Sequence, residues 1–246
     1  MVGRYLCKLN SKGVKGLWEY AACRTFPLRE RLLEAYLEWR LGIETRGEIA
    51  PEDLGHRSPC VNGYMPTFYA SNLAILGKLR VSPERDVFID FGSGKGRVIA
   101  LAARYPFKRV IGIEFSSELN EIARRNIERA RGVLRCRDVE LVSVDAREYQ
   151  IPDEATVLYL ANPFYGDVLD AVLNAIRASL IRSPRPITVI SHSHSPAQPF
   201  EEQMRSCPWL ELRSEVKLQC WTGAWIYANC RWKSGEDGSG GAHART

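Results

Sequence analysis

Short apolar runs alternate with helical segments between Asp86 and Ser191, and this alternation constrains the fold more than any other feature of the sequence. Strands that follow one another through helices pair in parallel, by right-handed crossovers. The sequence therefore predicts an α/β fold with a mostly parallel sheet and helices on both faces. The predicted strands are Val87–Phe91, Arg109–Glu114, Val139–Val144, Val157–Leu160 and Ile187–Ser191, and the predicted helices are Lys95–Ala103, Ser117–Ala130 and Gly166–Leu180.

Two further apolar runs follow this region. Trp209–Leu218 and Ala224–Trp232 flank the short segment Cys220-Trp221-Thr222-Gly223. Two strands joined by so short a connection form an antiparallel hairpin. The sheet is therefore predicted to have seven strands, with the C-terminal hairpin as its antiparallel part.

The segment before the alternating region is predicted to be partly helical. Pro27–Arg40 carries apolar residues at mostly helical spacing, which indicates an amphipathic helix whose apolar side packs on the domain. A Gly-, Pro- and charge-rich loop, 41–65, leads into a second predicted helix, Pro66–Leu79. The apolar residues of the first helix are Leu28, Leu32, Leu33, Tyr36, Leu37 and Trp39.

These patterns divide the chain into three parts. Residues 1–80 are predicted to form a helical and loop extension that caps the site, and residues 81–232 the cofactor-binding domain. Residues 233–246 consist mainly of Gly, Ser and charged residues, which favours a disordered tail. A chain of 246 residues is long enough to bury one full core.

Composition limits the compartment and the partners. The seven cysteines include no C-x-x-C pair, which favours reduced thiols, a cytoplasmic protein and no metal site. No apolar run reaches the length of a membrane span. The net charge is +5, and the segment 1–40 holds eight Lys and Arg against four acids. This excess is compatible with an anionic partner such as nucleic acid or with a solvated basic face, and the oligomeric state stays open.

The first predicted strand runs directly into a glycine turn. The sequence reads Asp90-Phe91-Gly92-Ser93-Gly94-Lys95-Gly96-Arg97, and a helix follows. Glycines at this spacing allow a sharp turn and a close approach of the backbone to a ligand, beside the N–H groups at the start of a helix. A dinucleotide site would need a glycine at position 97, where this chain has Arg97.

Acidic residues end the next two strands. Glu114 ends the strand that follows the glycine turn and can accept hydrogen bonds from both hydroxyls of a ribose. Phe115 can cover one face of an adenine. Asp145, followed by Ala146, can receive an adenine amino group. Ligands of parallel sheets bind at the carboxyl ends of the strands, so these residues and Asp90 are predicted to form one site.

The glycine turn with Glu114 and Asp145 resembles the first three motifs of class I S-adenosylmethionine (SAM)-dependent methyltransferases. Residues 45–47, 64–67 and 162–164 resemble those of a poorly characterised bacterial group within that class, over about residues 40 to 230. The resemblance implies a Rossmann-like fold and SAM as cofactor. It also implies that Asp90 steadies the glycine turn near the methionine amine and that residues before the turn hold the methionine end. The candidates for that role are Tyr64, Thr67 and Tyr69.

The fourth strand leads into Asn162-Pro163-Phe164, which resembles the motif of methyltransferases that act on planar nitrogen. In that motif the Asn oxygen and a proline carbonyl accept N–H bonds while an aromatic ring stacks on the acceptor. This chain has one proline before the aromatic residue rather than two, so an ordinary Asn-Pro turn with a core-packing Phe164 is the alternative. His192 and His194 follow the fifth strand, on one face, and are candidates for a base or a substrate ligand.

The sequence thus predicts a SAM-dependent methyltransferase that acts on a nitrogen of a protein, a nucleic acid or a small amine. A SAM-binding scaffold without turnover is a second possibility. A nicotinamide-dependent oxidoreductase is a third, which Arg97 and the terminal hairpin argue against.

Overall fold

The computed structural model describes residues 26–55, 58–193, 198–218 and 222–229. These residues include seven strands, which form one sheet. The strands are β1 (Val87–Phe91), β2 (Arg109–Glu114), β3 (Val139–Ser143), β4 (Ala155–Leu160), β5 (Thr188–Ser193), β6 (Leu210–Lys217) and β7 (Gly223–Asn229).

The order of the strands across the sheet is β3-β2-β1-β4-β5-β7-β6. Strands β1 to β5 are parallel, and β7 pairs antiparallel with both β5 and β6. The order reverses direction between β1 and β4, which is where ligands of such sheets bind. The predicted mostly parallel sheet with a C-terminal antiparallel hairpin is confirmed.

Helices cover both faces of the sheet, as predicted. Residues 26–41 form α1. The other helices are α2 (Tyr69–Leu76), α3 (Arg97–Ala102), α4 (Ser117–Ala130), α5 (Gly166–Arg182) and α6 (Pro199–Ser206). Alternate residues of β1 point to opposite faces, so Ile89 packs with α5 and α6 whereas Phe88 packs with α1, α2 and α3.

The helix α1 turns a different side to the domain from the one that the sequence predicted. Leu37 is buried, but Leu28, Leu32, Tyr36 and Trp39 have exposed fractions of 63%, 64%, 56% and 78%. The side that faces the domain includes acidic residues, at positions 30, 34 and 38. Their partners lie elsewhere in the chain, so the apolar periodicity of the helix alone gave the wrong side.

Several predictions lie outside the described residues. These concern the segment 1–25 of the N-terminal extension, His194, and the tail 233–246. In the part of the chain that the structure describes, no helix combines the length and the apolar character that spanning a membrane requires.

Candidate active site

A cavity of about 1180 Å³ lies at the carboxyl ends of the parallel strands. It is somewhat larger than the roughly 300–1000 Å³ that is usual for a single ligand. One wall consists of residues that follow β1, β2, the third strand and β4, and the opposite wall consists of residues 46–51 and 61–68. The two walls enclose a space that can hold a cofactor together with a second molecule.

The glycine turn forms the floor of the cavity. Gly92 and Gly94 have φ angles of 78° and 54°, which side-chain-bearing residues rarely adopt. A Cβ atom on Gly94 would lie 2.4 Å from the ring of Tyr64, and one on Gly92 would lie 2.7 Å from Cβ of Pro163. The backbone of this turn is therefore in direct contact with the side chains of Tyr64 and Pro163.

Glu114 is buried at the end of β2 and connects to the glycine turn. Its carboxylate accepts hydrogen bonds from the backbone N–H groups of Gly94 and Ser116, at 2.8 and 2.9 Å. Burial raises its pKa, and these two N–H groups together with that of Phe115 oppose the rise. The same carboxylate lines the cavity, so a ligand here would contact an acid that is already fixed by the turn.

Asp90 lies beneath the turn and also lines the cavity. It is 2% exposed, and burial first and the charge of Glu114 second raise its pKa well above its ordinary value. A cation bound beside Asp90 would favour its ionised form. A positively charged ligand group at this point would therefore lower the pKa of Asp90 and pair with its carboxylate.

The predicted adenine end is a partly exposed region of the wall. Phe115 is 46% exposed and lines the cavity together with Asp145 and Ala146. Asp145 forms an ion pair with Arg147 at 2.7 Å. The structure thus brings Phe115, Asp145 and Ala146 to one place, with Arg147 as a partner that the sequence did not indicate.

The three residues proposed for the methionine end have different surroundings. Tyr64 and Thr67 line the cavity, whereas Tyr69 is fully buried beneath Arg97. The Tyr64 hydroxyl donates to the carbonyl of Thr45 at 2.6 Å, and its ring covers Gly94. Tyr64 and Thr67 are in position to contact a ligand, and Tyr69 supports the wall from behind.

A buried ionic network joins the first turn of α3 to α1. Arg97 donates to Thr45 Oγ1 at 2.7 Å and to Glu34 Oε1 at 2.5 Å, and its guanidinium stacks on the ring of Tyr69. Glu38 accepts from the backbone N–H of Thr45 at 2.9 Å and from its hydroxyl at 2.8 Å. From the sequence, Arg97 served only as an argument against a dinucleotide site, and its structural role was not predicted. The regular helical spacing of the acids in α1 was the signal that could have indicated its partners.

The loop after β4 is held by the N-terminal segment. Asn162 has a φ angle of 48°, the one positive φ of a non-glycine residue in the described chain, and its Nδ2 donates to Gln198 at 3.3 Å. Its backbone carbonyl accepts from Asn62 Nδ2 at 2.7 Å, and the Pro163 carbonyl accepts from the Asn62 N–H at 3.0 Å. Phe164 is 5% exposed and packs in the core, although part of it reaches the cavity. The structure therefore brings Asn162 and Pro163 to the cavity, but the proline carbonyl already has a partner.

His192 is buried at the end of β5 and lines the same cavity. Its Nδ1 lies 2.7 Å from the hydroxyl of Tyr159. In the described ranges, no three His, Cys, Asp or Glu side chains gather as they would around a metal ion.

Comparison with known proteins identifies the domain. A family model described as a methyltransferase domain matches residues 88–182, which include the glycine turn, Glu114, Asp145 and Asn162. The chain carries a class I SAM-dependent methyltransferase domain. It is an enzyme domain, and its cofactor is SAM. No curated protein sequence matches the chain.

Solved structures of methyltransferases share this fold. A ribosomal protein L11 methylase from Lactobacillus delbrueckii subsp. bulgaricus is 15% identical, with a TM-score of 0.51 over 67% of this chain and 80% of that one. A precorrin-6y C5,15-methyltransferase from Geobacter metallireducens is 20% identical, with a TM-score of 0.50 over 69% and 90%. A SAM-dependent methyltransferase from Aquifex aeolicus is 12% identical, with a TM-score of 0.50 over 65% and 93%.

The methyltransferase site has the features that SAM requires. The glycine turn lies close against Tyr64 and Pro163 of the cavity wall, where a Cβ would clash, and buried acids lie beside it. The hydroxyl of Ser93 is buried in the cavity wall and has no hydrogen-bond partner within the described residues. A buried polar atom without a partner costs free energy that a bound ligand can recover. The residues present therefore fit the cofactor.

Proposed function

We propose that this methyltransferase transfers the methyl group of SAM to a nitrogen of a protein, a nucleic acid or a small amine. The observation that carries the proposal is the conformation of Asn162 at the cavity. A positive φ costs an asparagine little, but it is uncommon and concentrates at functional sites. Because Nδ2 donates to Gln198, the side chain presents Oδ1 as its hydrogen-bond acceptor, which suits an N–H donor.

For binding of the methyl acceptor, the Asn162 side chain is more important in this proposal than the Pro163 carbonyl. The Asn62 N–H donates to Pro163, so binding of the acceptor would rely on Asn162 Oδ1 and on groups beyond the loop. Phe164 is buried in the core, so a stacking platform would have to come from elsewhere in the cavity. This arrangement supports N–H recognition without specifying an adenine or a glutamine amide.

The cofactor would be held by residues that the sequence already indicated. Glu114 would accept from the ribose, Asp145, Ala146 and Phe115 would surround the adenine, and Asp90 would face the methionine amine with Tyr64 and Thr67 near the carboxyl end. SAM supplies a methyl group on positively charged sulfur. The chain's own task is to align the acceptor and to exclude water.

We also propose that residues 26–80 cap the site. Residues of α1 and of the segments 46–51 and 61–68 line the cavity opposite the glycine turn. They are held there by the Arg97 network and by the pairing of Asn62 with Pro163. Such a cap would keep water away from the reacting groups.

The first experiment is calorimetric titration with SAM, S-adenosylhomocysteine and NAD. Binding of the first two without NAD is the expected result. Transfer of isotopically labelled methyl is then measured on bulk transfer RNA, mixed peptides and polyamines, with mass spectrometry to locate the label. Label on nitrogen supports the proposal, and label on carbon or oxygen contradicts it. SAM binding without labelling of any acceptor favours the silent scaffold, and binding of NAD alone would revive the oxidoreductase.

A further inference from the structure

The outward side of α1 carries a stripe of exposed apolar side chains. Leu28, Leu32, Tyr36 and Trp39 are four of the eight large apolar residues that are exposed within the described ranges. Their spacing of four, four and three residues places them within an arc of about 80° around the helix. The ring centroids of Tyr36 and Trp39 lie 6.4 Å apart. The stripe is therefore one apolar surface, and exposed surfaces of this kind mark sites of interaction.

The charges of α1 are divided between its two sides. Its three acids face the domain, where they contact Arg97, Arg46 and the backbone N–H groups at the start of α2. Its three arginines are exposed and follow the edges of the stripe, Arg29 and Arg40 along one edge and Arg31 along the other. All of α1 lies within the described residues, and none of its acids is exposed. The outward side is therefore apolar at its centre and cationic at both edges.

This distribution favours an anionic lipid surface over the other occupants of such a face. A bilayer offers an acyl layer for the apolar stripe and, next to it, anionic headgroups for the arginines. A second copy of α1 would bring arginines against arginines, with no exposed acid on this helix to pair with them. A nucleic acid would stack its bases on aromatic rings, but Leu28 and Leu32 make up half of the stripe and offer no ring.

We propose that α1 docks this protein on the surface of an anionic lipid bilayer. The helix lies in the plane of the interface, with the stripe about 5–10 Å deep at the boundary of headgroups and acyl chains. Tyr36 and Trp39 suit this depth because each has an apolar ring and one polar group, and the arginines reach the lipid phosphates. Arg31 also lines the cavity, so the docked face borders the site of methyl transfer. Docking goes beyond the proposed function and is independent of the atom that accepts the methyl group.

Sedimentation of the full chain with lipid vesicles tests the docking. We expect binding to vesicles of phosphatidylcholine mixed with phosphatidylglycerol, little binding to phosphatidylcholine alone, and weaker binding at high salt. Leu28→Ser combined with Leu32→Ser should bind the mixed vesicles at least about tenfold more weakly, because two contacts with the acyl layer are lost.

The matched control for the leucines is Ile181→Ser combined with Leu212→Ser. Both side chains are exposed, at 59% and 42%, and both lie outside α1, so this variant should bind like the unaltered protein. Equal binding of the two double variants would contradict the proposal. So would an unaltered protein that does not bind the mixed vesicles, or one that binds neutral vesicles equally well.

A second pair of variants tests the arginines. Arg29→Gln combined with Arg40→Gln should weaken binding to the mixed vesicles about 25-fold at low salt, because each arginine near the surface contributes about fivefold. Arg31 stays in place because it lines the cavity. Arg177→Gln combined with Arg182→Gln removes the same charge from exposed positions of α5, on the other face of the sheet, and should leave binding nearly unchanged. An equal loss in both pairs would assign the binding to net charge rather than to α1.

Measurements without lipid decide against the other occupants. All four variants should show the thermal unfolding of the unaltered protein by circular dichroism, since every altered side chain is exposed. Sedimentation equilibrium should show no dimer that the leucine variant dissociates, and fluorescence anisotropy with single-stranded oligouridylate should show no binding that the arginine variant of α1 loses. A dimer of that kind, or such RNA binding by a protein that leaves vesicles unbound, would identify another partner for this face and overturn the docking on lipid.

Discussion

Arg97 Nη2 lies 2.5 Å from Glu34 Oε1, and this contact joins the helix that follows the glycine turn to the N-terminal helix α1. Arg97 has a side chain only 5% exposed, and Glu34 one that is 21% exposed. Glu38 lies 3.5 Å from the same guanidinium nitrogen. A buried cation with two acidic neighbours fixes the position of the proposed cap relative to the cofactor turn.

Replacing Arg97 with Ala should destabilise the fold by about 3 kcal/mol, because Glu34 and Glu38 lose their buried partner and, as a cation, keep only Arg46, whose side chain is 53% exposed. Urea unfolding followed by circular dichroism measures the change. Arg125→Ala is the matched control, since Arg125 pairs with Glu121 on the surface of α4 at 3.5 Å with both side chains 55% exposed. That control should change stability by less than about 1 kcal/mol. Similar effects of the two substitutions would show that the Arg97 network does not hold the cap.

The sheet, and the meeting of Asp90, Glu114 and Asp145 at one cavity, could be predicted from the sequence because both depend on local patterns. Strand ends can be located from apolar runs, and the acids Asp90, Glu114 and Asp145 lie at or beside those ends. The orientation of α1 could not be predicted in the same way. Its acids contact Arg97, Arg46 and the backbone N–H groups at the start of α2, all of which lie outside α1. A helical pattern of apolar residues carries no information about such partners.

The acceptor side was predicted less completely for the same reason. Asn162 and Pro163 line the cavity, but the occupation of the Pro163 carbonyl depends on Asn62, which comes much earlier in the chain. The hydrogen bond from the Tyr159 hydroxyl to Asn72 also joins separate elements, β4 and α2. Contacts between residues so far apart in the chain depend on the tertiary structure, and they produce no periodic pattern in the sequence.

Gly94→Ala should weaken both the fold and SAM binding. Its φ of 54° costs a side-chain-bearing residue about 1 to 2 kcal/mol, and the new Cβ would displace the Tyr64 ring. Thermal unfolding and calorimetry measure the two effects. Gly132→Ala is the control, because nothing lies within 4 Å of a Cβ there and its φ is not positive. Unchanged SAM affinity in Gly94→Ala would mean that the turn and Tyr64 do not form the cofactor floor.

Glu114→Ala should weaken SAM binding by about 1.5 to 3 kcal/mol, the usual contribution of hydrogen bonds to a charged group, or roughly 10- to 150-fold in Kd. The loss has two sources, the proposed ribose contacts and the bond from the Gly94 N–H. Calorimetry gives the Kd. Glu118→Ala, at an exposed position in the first turn of α4, should leave it unchanged. Equal affinities of the two variants for SAM would show that Glu114 is not part of the cofactor site.

The raised pKa of Asp90 predicts opposite effects of pH on stability and on cofactor binding. Because the folded protein holds this proton more tightly than the unfolded chain, the resulting stabilisation is complete below the ordinary pKa of 3.8 and is lost as pH rises through the folded-state value. SAM is cationic, so it should favour the ionised carboxylate. Stability of the cofactor-free protein should therefore fall with rising pH while affinity for SAM rises.

Asp90→Asn tests this linkage. The variant should bind SAM more weakly and with a smaller pH dependence, although Glu114, whose pKa is also raised by burial, leaves part of the slope. Calorimetry and urea unfolding between about pH 5 and 8 give both curves. Asp138→Asn, on a side chain that is 64% exposed, is the control. If the affinity for SAM changed with pH as steeply in Asp90→Asn as in the unaltered protein, groups other than Asp90 would be responsible for the pH dependence.

Asn162 allows the effect of the side chain to be separated from that of the backbone. Asn162→Gly and Asn162→Ala both remove the amide, but only Ala adds strain at the φ of 48°, so Ala should be less stable than Gly by about 1 kcal/mol. If Oδ1 binds the acceptor, both variants should lose methyl transfer to a similar extent while they retain SAM affinity, because the lost contact is on the acceptor side. Transfer by Asn162→Gly at the full rate would instead assign the role to the backbone of the loop and to its bonds with Asn62.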